Sequence, residues 1–177
     1  MKAPDDTPLL GALAEQARLG ILGLAPLEAV AHSRRYEHAL PLDARVVDIG
    51  SGAGVPGLVI AWHRDDVHMT LVEVRQKRAD QLTRLVRRLG LRERVDVVCA
   101  RVEALGDGHV GAYDALVARR FGPPAIVTAA AERLVRTGGS MVVSAAPDDR
   151  WDHVEGWVTT TPAPDGLVVL ARRPVVP

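Results

Sequence analysis

The sequence predicts an α/β fold, a mostly parallel sheet with helices covering both faces. Three observations carry that expectation. Short apolar runs of strand length alternate with longer segments of helical periodicity between residues 45 and 144. A glycine-rich turn, Gly50 to Gly57, joins the first of those runs to the helix that follows it. The chain has 177 residues, 47% hydrophobic and 25% charged, which suits about one domain with a core of its own rather than a disordered tract.

Residues 1–8 read as a frayed end containing two prolines. Leu9 to Leu19 reads as a helix, with Leu9, Leu10, Leu13 and Ala17 on one face. A second helix is expected from Leu27 to Leu40, stopped by Pro41. Residues 1–40 are expected to form an N-terminal helical cap ahead of a core over 41–177, or else to help form a binding rim. Arg45 to Ile49 is the first strand, and Val55 to Trp62 a helix that tolerates Pro56 in its first turn. Met69 to Glu73 is the second strand. Arg75 to Leu89 is an amphipathic helix ended by Gly90. Val95 to Cys99 is the third strand, with Cys99 read as a small apolar residue closing a buried run. Tyr113 to Ala118 is the fourth. Ile126 to Val135 is a helix closed by Gly138 and Gly139, followed by a fifth strand from Ser140 to Ser144. Trp157 to Thr161 and Gly166 to Arg172 predict an antiparallel pair around a turn at 162–165. Trp151 and Trp157 are expected to cover the sheet edge, and Pro174 to Pro177 to form a loose tail.

Composition excludes several function classes. Lys plus Arg and Asp plus Glu both number 22, so no strongly basic nucleic-acid-coating protein is expected, although a local basic patch is allowed. Aromatic residues are 3%, too few for a base-stacking platform to dominate. The single cysteine, Cys99, rules out an internal disulfide framework and a cysteine-rich zinc site. Six histidines are present without metal-binding spacing, so no metal is assigned. No apolar run reaches membrane-span length, and the first residues lack the order of a secretory signal; cytoplasmic location is the expectation.

The strongest local signal is Asp48-Ile49-Gly50-Ser51-Gly52-Ala53-Gly54-Val55-Pro56-Gly57. Glycines allow a tight turn and close approach of a ligand to the backbone, and the helix beyond offers unpaired N–H groups. Gly52, Gly54 and Gly57 have the spacing G-x-G-x-x-G, which alone points only weakly to a dinucleotide. Gly52 and Gly57 also have phosphate-loop spacing, but Leu58 and Val59 stand where Lys and Ser/Thr are needed. A nucleophile elbow fails because Ile49 replaces its first glycine. An acid ends the second strand at Glu73, 23 residues beyond Gly50, where a carboxylate can accept both hydroxyls of a ribose. The competing reading is a glycine-rich turn without a ligand.

The pattern Asp48-x-Gly50-x-Gly52-x-Gly54 with Glu73 resembles the class I S-adenosylmethionine-dependent methyltransferases. More narrowly, Val47 to Gly57, with its Pro56-Gly57 pair, resembles the bacterial 16S rRNA (guanine-N7) methyltransferase G family, also called glucose-inhibited division protein B. Leu71-Val72-Glu73 with Lys77-Arg78, then Ala100-Arg101-Val102-Glu103, then Ala118-Arg119-Arg120-Phe121 fit that family in order, and the likeness spans roughly residues 30 to 145. The resemblance implies a doubly wound, Rossmann-like class I methyltransferase sheet in the core over 41–177, with S-adenosylmethionine as cofactor. It implies that Gly50, Gly52 and Gly54, with Ser51 in the same turn, wrap the methionine half of the cofactor. Glu73 would hold the ribose, Val102 and Glu103 would lie by the adenine, and Asp48 would orient the loop. Arg119, the one catalytic candidate, would lie beside the methionine carboxylate and the substrate entrance. Arg119, Arg120 and His32 would meet the substrate, which the resemblance implies is 16S ribosomal RNA or the small ribosomal subunit; a helix-capping or packing role is the competing reading of His32. No DNA or membrane partner is expected.

The chain departs from that family on the presumed RNA side. The front helices lack its Asn-Leu-Thr segment, Arg35 replaces an acid in the stretch beginning at His32, and Ser144-Ala145 replaces a Lys-Gly pair. Two further readings therefore stand beside the first: a small-molecule methyltransferase, or a non-catalytic protein that binds S-adenosylmethionine. The resemblance also fits the absence of an acid–base dyad. A sulfonium is an activated methyl donor and guanine N7 has a free lone pair, so in-line positioning suffices. The N7 edge of a paired RNA base is deep in its groove, so an unpaired or extruded base is expected. Charge is segregated despite its zero sum, with nine basic and three acidic residues from Arg75 to Arg101. Lys77, Arg84 and Arg88 share one helix face, either a solvated surface or a phosphate-contacting stripe.

Overall fold

The computed structural model describes residues 4–144, 151, 154–160 and 166–173. Two helices, α1 (Thr7–Arg18) and α2 (Pro26–Glu37), precede the sheet. β1 (Arg45–Ile49), α3 (Gly57–His63), β2 (His68–Val72), α4 (Gln76–Arg88) and β3 (Val95–Val98) follow. Two short 3₁₀ turns lead to β4 (Tyr113–Ala118), then α5 (Pro124–Leu134), β5 (Val135–Ser144), β6 (Trp157–Thr159) and β7 (Leu167–Arg172). The strands form one seven-stranded sheet in the order β3-β2-β1-β4-β5-β7-β6. β1 to β5 run parallel, while β7 pairs antiparallel with both β5 and β6.

The apolar strands have two buried faces, as parallel strands between helical layers must. Val46, Met69, Leu71, Ala115 and Val117 face a cluster made with α1, α2, α3 and α4. Their neighbours Val47, Val72, Leu116 and Ala118 face the opposite cluster, made with α5, the 3₁₀ turns, Trp151 and Trp157. This alternation follows from the two-residue period of a strand. α1 and α2 share the first cluster with the core helices: Leu9, Leu13 and Tyr36 are fully buried there beside Leu58 and Ile60. Arg88 on α4 pairs with Glu15 on α1 at 2.6 Å, and Gln81 donates to the same carboxylate at 2.9 Å.

Several boundaries differ from the sequence expectation for local reasons. α1 begins at Thr7, inside the stretch expected to fray, because the Asp5 carboxylate accepts from the Thr7 N–H at 3.0 Å and hydroxyl at 2.7 Å. α2 ends at Glu37, short of Pro41. α5 starts at Pro124, where a proline early in the helix costs no hydrogen bond. β5 begins at Val135 rather than Ser140. Gly138 and Gly139, expected to close a helix, instead lie inside the strand, where its register against β4 shifts between Tyr113 and Ala115. A side chain on Gly139 would come within 2.6 Å of the Asp114 carbonyl, so the glycine permits a close strand approach. Cys99 is exposed, not buried: β3 is an edge strand and Cys99 follows its last residue. The turn at 162–165, the tail at 174–177 and Ala145 lie outside the described residues. No helix among the described residues is long and apolar enough to cross a membrane.

Candidate functional site

The strand order reverses between β1 and β4: from β1 the chain proceeds to β2 and β3 on one side, then crosses to β4 on the other. Loops leaving the carboxyl ends of neighbouring strands diverge at such a point and leave a crevice. Registers Ile49↔Val72, Val72↔Val98 and Asp48↔Val117 bring Gly50, Glu73, Cys99 and Arg119 to this one edge. The sequence therefore places its candidate residues together through topology.

The turn after β1 is held from two sides. The Val72 carbonyl accepts from the Gly50 N–H at 2.9 Å and the Ser51 N–H at 3.0 Å. Glu73, 5% exposed, accepts from the Gly52 N–H at 3.0 Å through Oε2 and from the Arg75 N–H at 2.9 Å through Oε1. Gly50 and Gly52 have φ of 70° and 54°, the left-handed region that glycine enters without strain. At Gly52 the nearest atom to an added Cβ is the Gly50 carbonyl oxygen at 3.7 Å, so a ligand can approach that backbone. Gly54 differs: its absent side chain leaves room for Leu58 and Leu82. The Ser51 hydroxyl donates to the Asp48 carbonyl at 2.9 Å.

Asp48 is buried against the start of α3. Its Oδ2 accepts from the Gly57 N–H, the first of α3, at 2.9 Å. An anion at a helix start is favoured by the unpaired N–H groups there. A Cβ on Gly57 would lie 2.5 Å from that same oxygen, so the glycine is required for the contact. Complete burial pushes the Asp48 carboxyl up to about 7, against the lowering effects of the Gly57 amide, Ser51 and Arg119.

Two cavities open at this edge. The smaller, about 190 Å³, is walled by Val72, Val74, Ala100, Val102 and Phe121, with the exposed residues Gly50, Arg101 and Glu103 completing its lining. The larger, about 940 Å³, lies between α2 and the loop after β4. Glu28, His32 and Arg35 line it from one side and Arg119, Arg120 and Phe121 from the other. Three arginines against one glutamate make its wall cationic. Arg119 is anchored by Nε donating to the Val55 carbonyl at 3.3 Å, and burial, reinforced by Arg120, lowers its pKa. Arg35 donates to Nδ1 of His32, which leaves the ring proton on Nε2. Burial, aided by Arg35, Arg119 and Arg120, pushes His32 down to about 4, so the ring is neutral at pH 7. Tyr36 donates from its hydroxyl to the Ala118 carbonyl at 3.3 Å and so fixes α2 against the end of β4.

Of the expected site residues, Gly50, Val102 and Glu103 line the smaller cavity and His32, Arg119 and Arg120 the larger. Asp48, Ser51, Gly52, Gly54 and Glu73 build the turn between strand and helix. Sequence reasoning missed the part played by Phe121, which lines both cavities and would meet a Cβ on Gly50 at 2.5 Å. As the chain's one phenylalanine, directly after the Arg119-Arg120 pair, it was a visible signal. Arg120 itself has φ of 52°, and its N–H donates to the Ser144 hydroxyl at 3.2 Å. The Lys77, Arg84 and Arg88 stripe is partly satisfied internally: Arg88 pairs with Glu15, and Arg84 donates to the Gln81 side chain at 2.7 Å. Among the described residues no group of three or more His, Cys, Asp or Glu is placed to hold a metal.

Comparison with known proteins gives a consistent result. The family described as rRNA small subunit methyltransferase G (GidB) matches residues 27–152. A ribosomal RNA small subunit methyltransferase G from Sorangium cellulosum is 34% identical over 145 residues, 76% of this chain and 60% of that protein. One from Nocardioides sp. is 52% identical over 66 residues, 37% of this chain and 26% of that protein. The chain therefore spans less than two thirds of the length of either relative. Among solved structures, a methyltransferase from Geobacter sulfurreducens superposes with a TM-score of 0.69 at 16% identity, covering 97% of this chain and 90% of that one. That likeness establishes the shared class I methyltransferase fold.

Proposed function

We propose, from the premise that this chain belongs to the rRNA small subunit methyltransferase G family, that it transfers a methyl group from S-adenosylmethionine to guanine N7 of 16S ribosomal RNA. One observation carries the reading: an apolar cavity and a cationic one share the wall Phe121 at the point where the strand order reverses.

The residues present fit the cofactor. The Gly52 backbone is open to close approach. A carboxylate has about four lone-pair sites. The Gly52 and Arg75 amides occupy one on each oxygen of Glu73, so two remain for the two hydroxyls of a ribose. Val74, Ala100 and Val102 offer flat apolar contact to an adenine, with Glu103 at its edge. Gly50 and Gly52 would carry the methionine half, and Arg119 would neutralise its carboxylate. When bound, S-adenosylmethionine supplies a methyl group on a sulfonium leaving group.

The protein's own task is then to position and to desolvate. Arg119, fixed through the Val55 carbonyl, and Arg120 would receive an anionic substrate at the mouth of the larger cavity. His32 stays uncharged and adds no further cation there. Asp48 is buried and spent on α3, so it offers no general base, and N7 requires none. Placing donor and acceptor in line supplies the acceleration.

The test is calorimetry with S-adenosylmethionine, followed by tritium transfer from methyl-labelled cofactor to small ribosomal subunits and, separately, to a small-metabolite pool. Binding, with label entering the RNA alone, is expected. Label in the metabolite pool instead would establish a small-molecule enzyme, and no binding would leave the fold without the activity.

A further inference from the structure

The start of α4 breaks a rule that helices ordinarily keep. A helix N-terminus carries partial positive charge, so acidic residues are favoured there and basic ones disfavoured. The first turn of α4 has no acidic residue; instead Arg75 stands at its N-cap with Lys77 and Arg78 just inside. Glu73, two residues before the N-cap, accepts from the backbone amides of Gly52 and Arg75. Among the described residues, no hydrogen bond or ion pair engages the side chains of Arg75, Lys77 or Arg78. The nearby Asp80 accepts from Gln76 at 2.8 Å.

A fourth such cation joins them from the next loop. Arg101 is exposed, has no side-chain partner among the described residues, and lines the smaller cavity together with Val74, the residue preceding Arg75. The Cys99 thiol, 3.8 Å from the Val74 carbonyl, marks how closely the two loops lie. The first turn of α4 and the loop after β3 thus bring four cations to the side of the crevice opposite the larger cavity, with Glu103 in the same loop as Arg101. At the far end of α4, Arg88 is paired with Glu15, and a cation there is favoured by the helix C-terminus. Local departures from sequence–structure consistency collect at functional sites.

The geometry points to a phosphate-contacting rim: Arg75, Lys77, Arg78 and Arg101 hold a stretch of RNA backbone that runs past the adenine side of the crevice, away from the larger cavity that receives the target base. The inference rests on the RNA substrate proposed above. Such contacts set register and strength without reading sequence. Each phosphate neutralised releases counterions, so the rim has a measurable signature in salt.

The experiment measures binding of the full chain to naked 16S rRNA and to small subunits across a range of salt. The triple variant Arg75→Gln/Lys77→Gln/Arg78→Gln is expected to bind naked RNA roughly tenfold or more weakly at low salt. Its log–log salt slope should be shallower by about 0.7–0.9 for each phosphate no longer neutralised. Adding Arg101→Gln deepens the loss. For methyl transfer, KM for RNA rises while kcat and cofactor affinity of the triple variant hold, and its melting temperature stays level or rises. The control, Arg87→Gln/Arg92→Gln, removes charge at and just beyond the other end of α4, where Arg87 is roughly 14–18 Å along the helix from the cluster, and leaves the slope unchanged. An unchanged slope in the triple variant, or an equal effect in the control, overturns the rim while leaving the methyltransferase reading intact. Weakening on assembled subunits but not on naked RNA overturns it in favour of an acidic protein surface. Failure of the unmodified protein to bind RNA, with cofactor binding retained, overturns both rim and RNA substrate.

Discussion

Replacing Glu73 removes the support of the turn and the expected anchor of the cofactor in one step. Its carboxylate, 5% exposed, accepts N–H groups from Gly52 and Arg75 at 3.0 and 2.9 Å. A hydrogen bond to a charged group contributes about 1.5–3 kcal/mol, and some of that returns when water reaches the vacated space. Glu73→Ala should therefore cost the unliganded protein about 2–4 kcal/mol. For a chain of this size each kcal/mol lowers Tm by roughly 2–4 °C. Glu73→Gln should lose about half as much, because its amide oxygen still accepts one N–H while its NH₂ faces the other. Cofactor affinity in Glu73→Ala should fall by about 1–3 kcal/mol, or roughly 5- to 150-fold. Thermal melts without ligand and calorimetry with S-adenosylmethionine separate the two effects. Unchanged Tm would refute the bracing of the turn, and unchanged affinity would place the ribose elsewhere.

Gly57→Ala should destabilise by about 1–3 kcal/mol, since its Cβ would meet Asp48 Oδ2 at 2.5 Å and a Leu71 methyl at 2.6 Å in a packed interior; an unaltered urea midpoint would contradict that geometry. His63 on α3 faces Asp6 through Nε2 at 2.9 Å and Glu37 through Nδ1 at 3.2 Å, and those carboxylates, Glu37 foremost, raise its pKa against the lowering effect of burial. Its stabilisation is complete below the ordinary imidazole value of 6.5 and lost as pH rises through the raised folded value, so His63→Gln should flatten that decline in urea melts; an unchanged pH profile would discount the pair. Asp48 acts in the same sense at lower pH. Its carboxyl, raised from 3.8 to about 7, favours the folded state when protonated, so stability from this group falls between those values and Asp48→Asn should remove the fall; a parallel profile in the variant would count against it. Arg119→Ala should reduce methyl transfer by about 10²-fold with little change in Tm, and a large drop in Tm with a proportionate loss of activity would mark it as structural.

Much of the crevice was legible because strand ends and glycines are local signals. Asp48, Gly50 and Glu73 each follow from a short apolar run and the residue that stops it, and parallel registers carry them to one edge. The side-chain roles were less legible. Nothing in the order of residues says that Asp48 accepts from Gly57 at the start of α3, or that Glu73 braces Gly52 across 21 positions; both depend on close packing that sequence does not display. The Gly138-Gly139 pair shows the same limit. It reads as a terminator in one dimension, and becomes a strand irregularity only once the Asp114 backbone lies against it. Cys99 misled because an edge strand and a central strand carry similar residues when the outer face is half covered.

The most direct measurement of the central claim is the position of the label in the RNA. After incubation with methyl-labelled S-adenosylmethionine, 16S rRNA is reduced with borohydride and treated with aniline, which cuts the chain at N7-methylated guanine. Cleavage at a single guanine, absent when Arg119→Ala or Glu73→Ala protein is used, is the predicted result. Labelled RNA that stays intact under aniline would move the methyl to another atom, and unlabelled RNA from protein that binds the cofactor would contradict the account.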